Sequence, residues 1–192
     1  MSKILTTQLT GLLQRIQQSE DESIEETARL LAQAAIGQGI VYFACYGEME
    51  GIALNAALSA DPFVRFARYT DEVELTDADR VIIFTRSCED QQALQLAKKL
   101  YEAFIPFAAV ASEVASDTNE LSELAYTYVS LKIRGGILPH PTKLGERIVM
   151  PHLIGGLYVY EAIKMEFDEM IADDDDDDDE ILEGHPSPFA NN

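Results

Sequence analysis

The six residues 85–90, which read TRSCED, carry side chains that could bind an anionic ligand. They follow an apolar, β-branched run and precede an amphipathic pattern, which indicates a turn between a strand and a helix. Thr85 and Ser87 offer hydroxyl donors, the helix start offers free backbone N–H groups, and the guanidinium of Arg86 can pair with phosphate through two hydrogen bonds. We expect these three residues to contact a ligand. The alternative is that Ser87 caps the helix and that Arg86 is simply exposed.

Two carboxylates in the same turn oppose this chemistry. Glu89 and Asp90 would repel a phosphate bound beside them. Acidic side chains also stabilise the first turn of a helix, because the helix N-terminus carries a partial positive charge. We favour this second role, in which Asp90 points toward the helix terminus and away from any ligand.

A second acidic loop, GEMEG at residues 47–51, follows the first predicted strand. Either Glu48 or Glu50 could act as a general base that takes a proton from a bound ligand. Gly47 lies in the same loop and is a candidate for contact with a ligand. The alternative, which we favour, is that both acids are solvated residues at a helix start.

The histidines and cysteines give a weaker signal. His140, in the segment HPTKLGER, could shuttle protons near neutral pH, although we favour a loop histidine beside two prolines. His152 lies near the start of the last predicted helix, where packing is the default role. Cys45 and Cys88 are not spaced as metal ligands, and Cys45 is expected to behave as a small apolar residue in its strand. We therefore predict no metal and no cofactor.

The net charge of −20 is unevenly distributed along the 192 residues. Residues 1–165 hold all fourteen Lys and Arg but 22 of the 34 acids, a net charge of −8, and seven aspartates run from Asp173 to Asp179. No basic stripe is present, so nucleic acid is not expected as a partner. No apolar run approaches the ~18 residues of a membrane span, and no signal-peptide pattern is present. With only two cysteines, the composition predicts a cytoplasmic protein.

The elements that must position these residues follow from the hydrophobic periodicity. Two amphipathic helices, residues 3–18 and 19–36, precede any strand, and Ser19 followed by Glu22 has capping-box spacing. Apolar runs then alternate with helical patterns. We predict strands at residues 40–46, 63–69, 81–84, 107–111 and 126–131, and helices at residues 48–59, 91–104 and 120–125.

Strands that alternate with helices at this spacing indicate right-handed crossovers and a parallel sheet covered on both faces. We predict an α/β fold, a three-layer αβα sandwich with a five-stranded parallel sheet of order 2-1-3-4-5. Ligands of such sheets bind outside the carboxyl ends of the strands, where the winding direction reverses. That crevice lies between the first and third strands, so the loops 47–51 and 85–90 should face it.

The remaining chain contains a loop, a helix and an acidic segment. Residues 132–147 are rich in Gly, Pro and charge, which predicts a long loop. A closing helix is predicted at residues 151–171, and the Gly-Gly pair within it indicates close packing. The aspartate run that follows predicts a disordered acidic tail at residues 173–192, which leaves one domain at residues 1–172.

Two leading helices, a five-stranded sheet, a Ser/Thr turn after strand three and a closing helix resemble the SIS (sugar isomerase) domain over roughly residues 1–171. The chain also looks like a small uncharacterised bacterial family that is grouped with those domains and labelled phosphoheptose isomerase-like. SIS domains bind phosphosugars through a Ser-x-Ser-Gly-x-Thr-like turn. Thr85 and Ser87 match the two serines, whereas Cys88 replaces the glycine and Asp90 the threonine.

The resemblance extends to other segments. HPTKLGER is similar to the His-Pro…Leu-Gly…Arg segment of arabinose-5-phosphate isomerases, where the histidine is functional, which implies a role for His140. Phosphoheptose isomerases of this fold use a histidine on the helix after strand one as a metal ligand, and residues 48–60 contain none. SIS domains generally associate through their outer helices, which implies at least a homodimer here.

Three functions follow as alternatives. The resemblance implies a phosphorylated sugar or a related small molecule as the partner, and the eroded motifs favour a sensing or regulatory protein over an enzyme. The second alternative is a phosphosugar isomerase with Glu48 or Glu50 as the base and His140 assisting. The third is an interaction protein that binds no sugar and whose acidic tail engages a basic partner.

Overall fold

Short strands alternate with helices in the computed structural model of the chain, which describes residues 2–183. The helices are α1 (Ser2–Ile36), α2 (Glu50–Leu58), α3 (Gln91–Glu102), α4 (Glu120–Leu124) and α5 (His152–Glu183). The strands are β1 (Val41–Cys45), β2 (Phe66–Arg68), β3 (Arg80–Phe84), β4 (Phe107–Ala111), β5 (Thr127–Ser130), β6 (Leu138–Pro139) and β7 (Arg147–Ile148). A 3-10 turn at Gly47–Met49 links β1 to α2.

Strands β1 to β5 form one parallel sheet in the order β2-β1-β3-β4-β5. The inner strand β4 is buried along its whole length, as expected for a parallel strand with helices on both faces. Helices α1, α2 and α5 pack on one face of the sheet, and α3 and α4 pack on the other. The predicted three-layer αβα sandwich and its strand order are therefore confirmed.

The predicted pair of leading helices is wrong, because α1 is one continuous helix of 35 residues. Ser19, predicted to cap a second helix, instead donates its Oγ–H to the carbonyl oxygen of Arg15 at 2.8 Å. A serine that bonds back one turn in this way is tolerated inside a helix, and residues 12–36 contain no Gly or Pro to interrupt it. The apolar face of α1 packs against β5 and α5 within the chain.

Helix α1 also covers the edge of the sheet. Strand β5 is an edge strand, so its outward backbone groups lack a neighbouring strand. The carboxylate of Glu20 accepts a hydrogen bond from the backbone N–H of Ser130 at 2.9 Å, and the hydroxyls of Thr27 and Thr127 lie 2.8 Å apart. These polar contacts fix the position of α1 along the edge strand.

Close packing explains the Gly-Gly pair in α5. A Cβ added to Gly156 would lie 2.9 Å from Cδ1 of Ile52 and 3.1 Å from Sδ of Met49. A Cβ added to Gly155 would lie 3.3 Å from Cδ1 of Ile133. The prediction that this part of the helix packs closely is confirmed.

The closing helix is longer than predicted, since α5 continues through the aspartate run to Glu183. Extending an existing helix costs little per residue, and Asp has only a modest helix penalty. Residues 184–192, which belong to the predicted disordered tail, lie outside the described residues, and the division into a domain at residues 1–172 and a tail stays a prediction. No helix among residues 2–183 combines the length and apolarity that crossing a bilayer requires.

The predicted loop at residues 132–147 contains a small antiparallel pair of strands, β6 and β7. Arg147 holds this segment together by donating to the carbonyl oxygens of Gly136 at 2.5 Å and Ile137 at 2.9 Å. Lys132 begins the segment with a positive φ of 54°, a backbone conformation that is unusual for a lysine. The segment is therefore held in a defined shape next to the end of β5.

Candidate functional site

A cleft of about 1170 Å³ lies at the carboxyl ends of β3, β4 and β5. Arg86, Ser112 and Lys132, which come shortly after these three strands, all line it. Helix α1 and the beginning of α5 also contribute to its lining. The sequence places the crevice between β1 and β3, whereas the large cleft lies toward the β5 edge of the sheet.

Basic side chains are concentrated in this cleft. Its lining includes five of the fourteen lysines and arginines of the chain, namely Arg15, Arg86, Lys132, Arg134 and Arg147. Among the described residues that line it, Glu113 is the single acid. A chain with a net charge of −20 thus presents a locally positive cleft, which favours an anionic ligand.

The turn at residues 85–90 already binds a carboxylate group of the protein itself, that of Glu113. The Oγ–H of Ser87 donates to Oε1 of Glu113 at 2.9 Å, and the backbone N–H of Cys88 donates to Oε2 of the same carboxylate at 2.8 Å. These are the donors that the sequence assigns to a phosphate. Glu113 was not identified from the sequence. Its position just after the carboxyl end of β4 could have indicated it, as the position just after β3 indicated Thr85.

Thr85 has a structural position within this turn. Its side chain is only 1% exposed, and its Oγ1–H donates to the backbone carbonyl of Ser87 at 3.3 Å. The carbonyl of Arg86 accepts from the backbone N–H of Ser112 at 3.2 Å, which ties the turn to the end of β4. Arg86 and Ser87 line the cleft, whereas Thr85 is buried within the turn. A role of all three residues in ligand binding stays a prediction.

Asp90 caps α3, which is the role that the sequence favours. Its carboxylate accepts hydrogen bonds from the backbone N–H groups of Gln92 and Ala93, both at 3.0 Å. Ser87 was the alternative cap, but Asp90 occupies that position. The acidity of the turn is thus partly explained by the start of the helix.

Replacing Asp90 with alanine is expected to lower the free energy of unfolding by about 1 kcal/mol, because two backbone N–H groups lose their acceptor. Urea denaturation followed by circular dichroism measures this loss. Glu89→Ala is the matched control, since Glu89 is an exposed neighbouring acid, and its effect should stay within about 0.5 kcal/mol. Equal losses in the two variants would show that charge, not capping, is responsible.

Glu48 is paired with an arginine of the cleft. The Nε–H of Arg86 donates to Oε1 of Glu48 at 2.7 Å, and Nη2 lies 2.5 Å from the same oxygen. Burial alone would raise the pKa of Glu48, but the hydrogen bonds from its own backbone N–H and from Arg86 outweigh burial and lower the pKa. A general base works best with a pKa near the operating pH, so this environment disfavours Glu48 as a base.

Glu50 and Gly47 lie at a different cavity of about 400 Å³, which β1, the segment after β2 and α3 help to line. Glu50, the first residue of α2, forms an ion pair with Arg68, the last residue of β2. The structure therefore separates Glu50 and Gly47 from Ser87 and Glu113, although the sequence groups them around one crevice. Their assignment to a ligand site stays a prediction.

His140 lies in the segment between β6 and β7, and it lines neither of these two cavities. Its Nδ1 accepts hydrogen bonds from the backbone N–H groups of Thr142 at 3.2 Å and Lys143 at 3.0 Å. The side chain thus stabilises a local turn, as the favoured interpretation expects. Its catalytic role stays a prediction.

His152, assigned only to packing at the sequence level, lines the large cleft at the start of α5. The residue is 6% exposed, and its Nδ1 has no hydrogen-bond partner among the described residues. Burial and the charge of Arg86 lower its pKa, while Glu48 and Glu113 act in the opposite direction. The ring is therefore favoured in its neutral form, with a buried polar atom next to the charged groups of the cleft.

Ser112 is a second such residue. It is 5% exposed, it lines the cleft, and its Oγ has no partner within residues 2–183. Buried polar atoms are nearly always hydrogen-bonded, so two unpartnered ones in a single cleft indicate a place where a ligand or water would bind. Neither residue carries a sequence signal beyond its place near an element end.

The two cysteines are unsuited to nucleophilic chemistry. Burial and the neighbouring Glu113 raise the pKa of Cys88 to about 11, and burial raises that of Cys45 to about 12. Cys45 is buried in β1, as its apolar role predicts. Among residues 2–183, no three His, Cys, Asp or Glu side chains are grouped closely enough to hold a metal ion. The expectation that no metal or cofactor takes part stays a prediction.

The fold is similar to that of several solved structures. The sugar isomerase domain of an RpiR transcription factor from Sphaerobacter thermophilus has a TM-score of 0.59 at 15% identity, over 90% of this chain and 91% of that one. The NanR protein of Vibrio vulnificus, solved with ManNAc-6P, has a TM-score of 0.64 at 13% identity, over 95% of this chain and 67% of that one. At these identities the likeness shows the fold alone, and it confirms the resemblance to SIS domains.

Sequence comparison gives the family. The uncharacterized protein YwjG of Bacillus subtilis (strain 168) is 33% identical over 174 residues, which is 90% of this chain and 99% of that protein. A family model described as "Domain of unknown function (DUF2529)" matches residues 1–171. Because that match covers nearly the whole described chain, the protein belongs to the DUF2529 family, and it has the SIS fold.

Proposed function

We propose that the protein binds a phosphorylated sugar, or a related small anion with hydroxyl groups, in the large cleft, and that it acts as a sensing or regulatory protein. The observation that carries this proposal is the concentration of five basic side chains in one cleft of an acidic chain. The cleft lies at the carboxyl ends of parallel strands, where ligands of α/β sheets bind. Its volume of about 1170 Å³ is ample for a hexose phosphate.

The polar groups of the cleft suit a hydroxylated ligand. Ser112 Oγ and His152 Nδ1 are buried without a partner among the described residues, and the hydroxyls of a sugar could satisfy both. The carboxylate of Glu113 has received only two hydrogen bonds and can accept more. Arg86 and Ser87 line the same cleft and are proposed to contact the ligand beside Glu113.

Catalysis is less well supported than binding. Isomerisation needs a base near the substrate carbon, and the pKa of Glu48 is lowered by hydrogen bonds from its own backbone and Arg86, which outweigh burial. Glu50 pairs with Arg68 and lines the other cavity, while His140 lines neither. The three candidate catalytic residues are thus not assembled in one cleft. The isomerase alternative is therefore ranked below binding.

The regulatory part of the proposal rests on relatives in fold. One similar structure is a domain of an RpiR transcription factor, and another is the NanR protein solved with ManNAc-6P. A comparable role here is proposed by analogy of fold. Cytoplasmic location and assembly into at least a homodimer are likewise proposals.

Thermal unfolding in the presence of a panel of sugar phosphates tests the proposal. A ligand at 100 times its Kd stabilises the native state by about 2.7 kcal/mol, which should raise Tm by roughly 5–10 °C for a domain of this size. The unphosphorylated sugars are the matched control and should give no shift.

A panel without any shift up to roughly 10 mM would contradict phosphosugar binding, since the mass-action stabilisation would then be absent. If deleting residues 173–192 then abolished binding of a basic partner protein, the interaction-protein alternative would be favoured. Turnover of a shifted ligand to its isomer would instead favour the enzyme.

A further inference from the structure

Two arginines of the large cleft, Arg15 of α1 and Arg134 of the segment after β5, are placed to hold the acidic group of a ligand. Resting on the function proposed above, we propose that these two guanidinium groups bind the phosphate of the ligand, and that the turn at residues 85–90 does not. The turn instead keeps the carboxylate of Glu113. The phosphate site is thus displaced from the start of α3 to the α1 side of the cleft.

The turn is unfavourable for a second anion. Its donors, the Oγ–H of Ser87 and the N–H of Cys88, both bond to Glu113 at 2.9 and 2.8 Å. A phosphate entering there would either meet the carboxylate, which repels it, or expel the carboxylate and break two hydrogen bonds to a charged acceptor. The positive charge of Arg86 compensates this repulsion only in part, because Arg86 already forms an ion pair with Glu48.

The other basic side chains differ in what they already bind. Lys132 pairs with Glu20 at 2.7 Å, and Arg147 donates to backbone carbonyls of its own segment. Arg15 and Arg134 are exposed, and the guanidinium group of neither has a hydrogen bond or ion pair to another group within residues 2–183. They are therefore the guanidinium groups of the cleft that can receive a ligand without losing an existing partner.

The pair between Lys132 and Glu20 also joins the two elements from which Arg15 and Arg134 reach the cleft. Lys132 Nζ lies 2.7 Å from Oε1 of Glu20, so the segment that carries Arg134 is fixed against α1. Arg15 lies on the same helix about 7.5 Å along its axis from Glu20, and it lines the cleft together with Arg134. Two guanidinium groups that line one cleft, one from α1 and one from the β5 end, can each bind phosphate with two hydrogen bonds.

The remaining polar groups then define the class of ligand. With the phosphate at the α1 side, the rest of the molecule extends toward Ser112 and His152, which are 5% and 6% exposed and have unpartnered polar atoms. Glu113 at the turn lines the same cleft and has acceptor capacity left for hydroxyl groups. The ligand class is therefore a small monophosphate whose body carries hydroxyl groups, with its phosphate pointing away from the turn.

Titration calorimetry with inorganic phosphate and with glucose 6-phosphate tests this placement. Arg15→Ala and Arg134→Ala should each weaken binding of both probes about tenfold or more, because each removes a charge-assisted hydrogen-bonding group. Arg15→Lys should recover part of the loss, since it keeps the charge but not the bidentate geometry. Arg29→Ala is the matched control, because Arg29 is an exposed arginine of the same helix that pairs with Glu25.

Glu113→Gln separates the two possible phosphate sites. Under our proposal this change does not tighten binding of inorganic phosphate. Tightening by tenfold or more, together with unchanged affinity in Arg15→Ala and Arg134→Ala, would place the phosphate in the turn and overturn the inference while leaving the proposed function intact. If neither probe binds the unaltered protein, the inference fails, while the proposed function fails only if the whole panel of sugar phosphates gives no thermal shift.

Discussion

Replacing Glu20 with alanine is expected to lower the free energy of unfolding by about 3 kcal/mol. Glu20 is 6% exposed, and its carboxylate binds two groups at once. It accepts from the backbone N–H of Ser130 at 2.9 Å and pairs with the ammonium of Lys132 at 2.7 Å. Alanine would leave a buried N–H without an acceptor and a partly buried ammonium without a counter-charge, and both losses are costly.

Urea denaturation and thermal unfolding measure the effect of Glu20→Ala, which corresponds to a fall in Tm of roughly 6–12 °C. Glu22→Ala is the matched control, because Glu22 is an exposed acid two residues away on the same helix. Its effect should be within about 0.5 kcal/mol. A loss below about 1 kcal/mol in Glu20→Ala would contradict the role of this carboxylate in fixing α1 to the edge strand.

The layer structure and strand order were predictable because they depend on local patterns. The runs at residues 81–84 and 107–111 are apolar throughout, and each is followed by a helical pattern, which leaves few topologies open. The leading helix was divided wrongly because Ser19 and Glu22 have capping-box spacing, yet Ser19 bonds backward to Arg15. A local motif thus competed with an uninterrupted helix, and the helix prevailed.

The candidate site was predictable only in part, because its key contacts join distant parts of the chain. Residues 85–90 were correctly placed at a strand end, and Asp90 was correctly assigned to the helix start. The partner of Ser87, however, is Glu113, which is 26 residues away and enters the turn from the next strand. Arg15 and His152 reach the cleft from the two ends of the chain, and no spacing rule connects them to the turn.

Charge composition was also misleading without the fold. The chain has a net charge of −20, and no segment of it forms a basic stripe. The fold nevertheless brings basic residues from α1, from the ends of β3 and β5 and from β7 into one cleft. Acidic residues elsewhere on the surface would repel polyanions but leave the cleft suited to a small anion.

Replacing Gly39 with alanine is expected to destabilise the fold by about 3 kcal/mol, because the new methyl group would collide with backbone. An added Cβ would lie 2.1 Å from the carbonyl oxygen of Ala78 and 2.6 Å from its carbonyl carbon. The adjacent Asp79 is anchored by hydrogen bonds from Ile40 and Thr76, both at 2.8 Å, so the colliding segment has little freedom to move. Overpacking against a fixed neighbour is costly in such places.

Gly11→Ala makes the same chemical change with the opposite expected sign. Gly11 lies inside α1, where an added Cβ would meet only a nitrogen of Arg15 at 3.6 Å, an ordinary contact. Alanine in a helix interior is favoured over glycine by about 1 kcal/mol, so this variant should be more stable than the unaltered protein. Equilibrium urea denaturation of both variants measures the difference of about 4 kcal/mol between them. Because Gly39 joins α1 to β1, similar stabilities for the two variants would contradict the described path of the chain from the first helix into the sheet.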